Sequence, residues 1–190
     1  MLTRRVFLNG LLGGTLAGLL TGGYALAEAG WRLRVQNWAV QPAGWPRGQR
    51  LRIVMIADLH ACGFGMQEAR IARIVDEANA QGADLIALMG DYRATHPFQR
   101  RAVPIDVVAP IFARLQAPLG VFAITGNHDW KDDPQAMARR TGPTRVQTVL
   151  EAQGIPVLAN RAVKLGVGAG AFWLGGVESQ SAFQSEDKDD

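Results

Sequence analysis

Strand-like and helix-like spacings of apolar residues alternate along the chain after residue 50. Leu51-Arg52-Ile53-Val54-Met55-Ile56-Ala57 is a short β-rich run that suits a buried strand. Over residues 67–81, Ile71, Ile74, Val75 and Ala78 recur at helical spacing until Gly82 ends them. Residues 84–89 (DLIALM) form a second apolar run, and residues 120–125 (GVFAIT) a third. Between these two, residues 105–116 set Ile105, Val108, Ile111, Phe112 and Leu115 on one helical face, with Pro110 expected to bend or delay the helix. A further helix is predicted over 144–153, with short strands near 155–159 and 171–174. This alternation predicts an α/β fold whose parallel strands are joined by crossover helices.

The ends of the chain follow other patterns. Residues 1–27 carry Arg4-Arg5 before Val6-Phe7-Leu8, then an uncharged stretch with six glycines between Gly10 and Gly23, closing on Ala25-Leu26-Ala27. Paired arginines, modest hydrophobicity and a small-x-small ending suit a twin-arginine export signal. An ordinary secretory signal and a membrane anchor are the alternatives. The expected location is the periplasm, with attachment to the inner membrane if the leader is retained. Residues 28–49 hold Trp31, Trp38 and Trp45 and read as an approach segment with one strand over 33–40; the tryptophans either pack on the domain or meet a membrane interface. Residues 50–180 form the domain, and the polar residues 181–190, with four acids in the last five, read as a solvated, disordered tail.

Composition narrows the function. The hydrophobic share of 48% and charged share of 19% belong to a globular chain. The net charge of +3 falls to +1 without the leader, with 18 basic and 17 acidic residues remaining, and no basic stretch is interleaved with aromatics. Nucleic acid is therefore not an expected partner. With Cys62 the sole cysteine, no internal disulfide can form, so stability must come from packing and from any bound metal.

The chemistry sits just after the three main strands. The first runs into Asp58-Leu59-His60, the second into Gly90-Asp91, and the third into Gly126-Asn127-His128-Asp129. Ligands collect at the carboxyl ends of parallel strands, so these groups can converge although 33 and 36 residues separate Asp58, Asp91 and Asn127. Carboxylate, imidazole and amide oxygen make a mixed donor set suited to Mn, Fe, Zn, Co or Mg. Glycines 90 and 126 fit a backbone that must pass close to metals and substrate. Outside this set, His96 reads as a surface loop residue and Cys62 as a small loop residue.

Three motifs in this order, each after an apolar strand, resemble the calcineurin-like metallophosphoesterases, and with the leader they resemble the exported YaeI-like bacterial phosphodiesterases. The likeness covers residues 50–178. It implies a layered α/β/β/α sandwich and two divalent metal ions. Asp58 and His60 would bind the first metal, Asp91 would bridge, and Asn127 would bind the second. His128 would serve the leaving-group oxygen as proton donor or charge stabiliser, with Asp129 orienting its ring. The implied reaction is hydrolysis of phosphodiesters or pyrophosphates by a metal-bridging hydroxide. A lipid-linked phosphate ester is a candidate substrate on grounds of location.

The resemblance also carries an expected gap. The family supplies further ligands from a later lone histidine and a Gly-His-x-His segment, whereas the histidines here are His60, His96 and His128. A chain missing its C-terminal part would have low activity and a sheet uncovered on one face. The competing expectations are a non-catalytic phosphate- or metal-binding remnant and a non-functional fragment.

Overall fold

The computed structural model describes residues 3–63, 65–93, 101–166 and 170–183. Two compact units divide between Ala39 and Val40. The first is dominated by helix α1, Arg4–Trp31. Thr15 and Thr21 donate their hydroxyls to the carbonyls of Leu11 and Ala17 at 2.9 and 2.8 Å, which satisfies both polar side chains within the helix. Among the described residues no helix is long and apolar enough to cross a membrane. The strand expected over 33–40 is absent: these residues run without regular structure, because no neighbouring strand pairs with them.

The second unit begins its regular structure at β1, Ile53–Ile56, followed by α2, Glu68–Ala80, and β2, Leu85–Leu88. Then come α3, Ile105–Phe112, and β3, Val121–Ala123. The three strands form one parallel sheet in the order β1-β2-β3, with Ile56 opposite Leu88 and Leu88 opposite Ala123. Short helices α4, Asn127–Lys131, and α5, Pro134–Arg139, precede α6, Arg145–Ala152. An antiparallel hairpin of β4, Arg161–Leu165, and β5, Phe172–Gly176, completes the described elements.

The core lies on one face of the parallel sheet. Val54, Ile56, Ile86, Leu88, Val121 and Ala123 pack with the buried stripes of α2 (Ile71, Val75, Ala78), α3 (Val108, Ala109, Phe112) and α6 (Val146, Leu150). The apolar spacing read from the sequence is thus the spacing that is buried. On the other face of β1 the side chains stand open: Ile53 is 42% and Met55 55% exposed. Helix α3 runs through Pro110 but stops at Phe112, short of the expected residue 116, and Leu115 is buried from a turn.

Two other expectations change. The strand near 155–159 is reduced to a single parallel bridge, Val157 against Ala123, held by Leu158 N–H to Ala123 O at 2.8 Å. The tail expected to be solvated from residue 181 is packed at its start. Ala182 is 1% exposed, Phe183 stacks edge-on against Trp130 at 5.0 Å, and Arg140 lies over the Phe183 ring. Apolar Ala182 and Phe183 outweigh their polar neighbours because a buried tryptophan offers them a partner. Trp45 likewise packs, 5.9 Å from Phe172, whereas Trp38 is exposed.

Candidate metal centre

Each of the three parallel strands gives way to a loop at its carboxyl end, and the backbone of those loops is held tightly. His60 N–H donates to Asp91 O at 2.9 Å and Ala61 N–H to Tyr92 O at 2.8 Å, which extends the β1–β2 pairing beyond the strands. Asp58, His60 and Asp91 all adopt left-handed backbone, with φ of 50°, 47° and 53°. Non-glycine residues rarely take this conformation, and its cost is commonly tolerated where function needs a fixed geometry. One donor atom from each of these three residues lies within 4.8 Å of the others. Asp91 is buried, His60 half-buried and Asp58 exposed, so the cluster opens to solvent on one side.

The third loop closes on the second. A Cβ on Gly90 would lie 2.3 Å from Gly126 N, and one on Gly126 would lie 2.1 Å from Asp91 Oδ1. The two glycines were expected to make room for metals and substrate; what they make room for is each other and the Asp91 carboxylate. Glycine is required at residue 90 for a second reason, its φ of 92°. Asp91 Oδ1 then accepts the His128 N–H at 3.0 Å, so Asn127, the first residue of α4, lies between two residues that touch Asp91. The His128 ring stands edge-on to that of His60, with centroids 5.2 Å apart. The three loops that carry the sequence-predicted groups are therefore neighbours in space.

Asp129 has a task that its sequence position did not announce. It is 2% exposed, and both oxygens take backbone donors: Oδ2 from Asp91 N–H at 2.8 Å and Gly126 N–H at 2.9 Å, Oδ1 from Tyr92 N–H at 3.1 Å. One carboxylate thereby bolts the second and third loops together. Burial pushes its carboxyl up to about 6 despite these donors, and the charge of Asp91 adds to the rise. Beneath it the Tyr92 hydroxyl shares its one proton between Ile124 O at 2.8 Å and Leu88 O at 3.1 Å, and burial holds its phenol well above its ordinary range.

Sequence reasoning missed Arg93 and Asp132, whose side chains pair across the rim of the cluster at 3.6 Å. The spacing of Asp132, one helical turn beyond His128, was a usable signal. Burial pushes the Asp132 carboxyl up, opposed by the charges of Arg93 and His128 and reinforced by that of Asp91. Cys62 is buried in a loop bridged to Met66 and Ala102 and stands outside the donor cluster. His96 lies outside the described residues.

The donor set fits a divalent cation. Bonds of about 2.1 Å place ligand atoms roughly 3–4 Å from one another, so three donors within 4.8 Å need only a small closure to share one ion. Carboxylates and imidazole suit the harder and borderline divalent metals.

The calcineurin-like phosphoesterase family profile matches residues 51–174, which contain every one of these groups. A metallophosphoesterase of Aquifex aeolicus, named as uncharacterised, is 28% identical over 59% of this chain and 40% of its own length. Another so named, YkoQ of Bacillus subtilis, is 25% identical over 76% of this chain and 49% of its own. The chain thus spans less than half the length of these relatives. No solved structure gives a significant match. The profile covers most of the chain and contains the donor cluster at its parallel strand ends: the chain belongs to the calcineurin-like phosphoesterase family.

Proposed function

We propose that Asp58, His60, Asp91 and Asn127 hold a pair of divalent cations, and that the protein hydrolyses phosphodiesters or pyrophosphates. The observation that carries this reading is the convergence of Asp58, His60 and Asp91, each in left-handed backbone, with donor atoms within 4.8 Å. Divalent cations, when bound, supply positive charge to phosphoryl oxygens and make water nucleophilic near neutral pH. The protein's own side chains hold and orient. Asp91 fixes the start of α4 through the His128 amide, and the His128 ring, edge-on to that of His60, would give a proton or positive charge to a leaving oxygen. Asp129 keeps the loops from parting.

Calorimetric titration with Mn²⁺, followed by turnover of bis-(p-nitrophenyl) phosphate, tests the proposal. The expected result is Mn²⁺ binding and slow turnover, both lost in Asp91→Ala. Turnover is expected to be slow because the histidines of this chain are His60, His96 and His128, which leaves few nitrogen donors for a second ion. A protein that takes up no Mn²⁺ at millimolar concentration would sink the reading. The three-residue cluster also supports a second reading, a non-catalytic module holding one ion and phosphate. One ion per chain with no turnover would establish that alternative.

Export by the twin-arginine route to the periplasm, with contact at the inner membrane, is part of the same proposal. Its support is Arg4-Arg5 at the head of a long, glycine-rich helix. That location would bring lipid-linked phosphate esters within reach. Undiminished export of a doubly substituted Arg4→Lys, Arg5→Lys chain would count against it.

A further inference from the structure

Arg93 lies two residues beyond Asp91, on the rim of the metal cluster. Tyr92, between them, turns into the core, where it is 1% exposed, while the Arg93 side chain is 38% exposed. A parallel bridge sets Arg93 opposite Ala61, the residue after His60. Its guanidinium reaches toward Asp132, one helical turn beyond His128 on the other side of the site. Arg93 therefore links the β2 loop, which carries Asp91, to the end of α4, which carries His128.

The partnership with Asp132 is loose. Nη1 stands 3.6 Å from Asp132 Oδ2, whereas an arginine–carboxylate hydrogen bond closes to about 2.7–2.9 Å. Arg93 Nε and Asp132 Oδ2 are both shut off from water, and neither has a hydrogen-bond partner among the described residues. A buried guanidinium N–H without an acceptor is costly, and such groups in native proteins call for an explanation. Charge alone holds this arginine, leaving its planar fork ready to turn to a better acceptor. Arginine matches the tetrahedral oxyanion of a phosphoryl group bidentately, which lysine cannot do.

We propose that Arg93 is a substrate-binding residue that takes the non-bridging oxygens of the phosphoryl group facing away from the cations, with Asp132 holding it poised when the site is empty. This rests on the cation-site reading above and adds to it an anion subsite contributed by the β2 loop. The predicted ligand class is a tetrahedral phosphoryl oxyanion, whether a free phosphate or an ester.

Calorimetric titration of the Mn²⁺-loaded protein with inorganic phosphate tests it, after Mn²⁺ binding has been measured on its own. Arg93→Ala should leave Mn²⁺ affinity and stoichiometry unchanged while weakening phosphate by about tenfold to a hundredfold, the worth of a charge-assisted pair. Arg93→Lys, which keeps the charge and loses the fork, should fall between. Should the alanine variant fold poorly, the lysine variant and Arg93→Gln carry the comparison. Phosphate affinity within twofold of the parent in variants that still bind Mn²⁺ would overturn this proposal and leave the cation site standing. A fall in Mn²⁺ affinity matching that in phosphate would mark Arg93 as structural and overturn it equally. If the parent chain binds no Mn²⁺, both readings fall.

Discussion

The two ends of the structural problem in this molecule are solved by different forces. Behind the sheet, α2, α3 and α6 are held by side chains such as Phe112, Leu150 and Val75, all fully buried and apolar. At the strand ends the loops are held by polar groups instead: Asp129 on three backbone N–H groups, Asp91 on a fourth, and the Tyr92 hydroxyl on two carbonyls. Packing is tolerant of small shifts and spreads its energy widely. Hydrogen bonds to one carboxylate are directional and concentrated. The protein thus combines a broad support with a sharply located site, and the two should respond differently to substitution.

The largest effect should come from the packed side. Phe112→Ala removes a fully buried ring that meets Tyr92 at 5.7 Å, and should cost about 3–5 kcal/mol, read as a fall in urea midpoint. If Mn²⁺ binding disappears only as the fold melts, support and site are linked by folding alone. Asp129→Ala attacks the boundary between the two regions. Three donors would lose their acceptor, so a loss of about 3 kcal/mol is expected, together with a drop in Mn²⁺ affinity in the molecules still folded. Unchanged Mn²⁺ affinity there would break the idea that this carboxylate sets the site.

Asp91→Ala should invert the pattern, abolishing Mn²⁺ binding while costing only about 1 kcal/mol, since Asp91 accepts a single hydrogen bond from His128 N–H among the described residues. Asp58→Gly should have the smallest effect on stability and the opposite sign. With φ at 50°, Asp58 is strained where glycine is not, so the metal-free variant should gain about 0.5–1 kcal/mol while losing cation affinity. A destabilised Asp58→Gly would show that the left-handed backbone stores no strain at this position.

The same division explains what could be read from the sequence. The support was legible because apolar spacing is a local signal. Ile71, Val75 and Ala78 announce α2 within a dozen residues, and they are the side chains it buries. Apolar spacing did not place strand β4 because Arg161-Ala162-Val163-Lys164-Leu165 has no continuous apolar run, and it exists by pairing with β5. A strand over 33–40 was expected from composition but found no neighbour. In the site, Asp58, His60 and Asp91, whose donor atoms converge, were legible, and the geometry brings the loop of Asn127 and His128 beside them. The work of Asp129 was not. Its partners are backbone N–H groups, two of them 37 and 38 residues away, and backbone groups leave no mark in the residue code. Gly90 and Gly126 were noticed, but their close approach to each other was not, for the same reason.

The clasp of Phe183 on Trp130 has a practical consequence. Trp130 is 1% exposed, while Trp38 and Trp173 are 72% and 68% exposed, so an aqueous quencher should silence those two and spare the indole on α4. Once Trp31 and half-buried Trp45 are replaced by phenylalanine, blue-shifted emission surviving the quencher would come from a chromophore two residues from His128. Ion or oxyanion capture could then be followed optically.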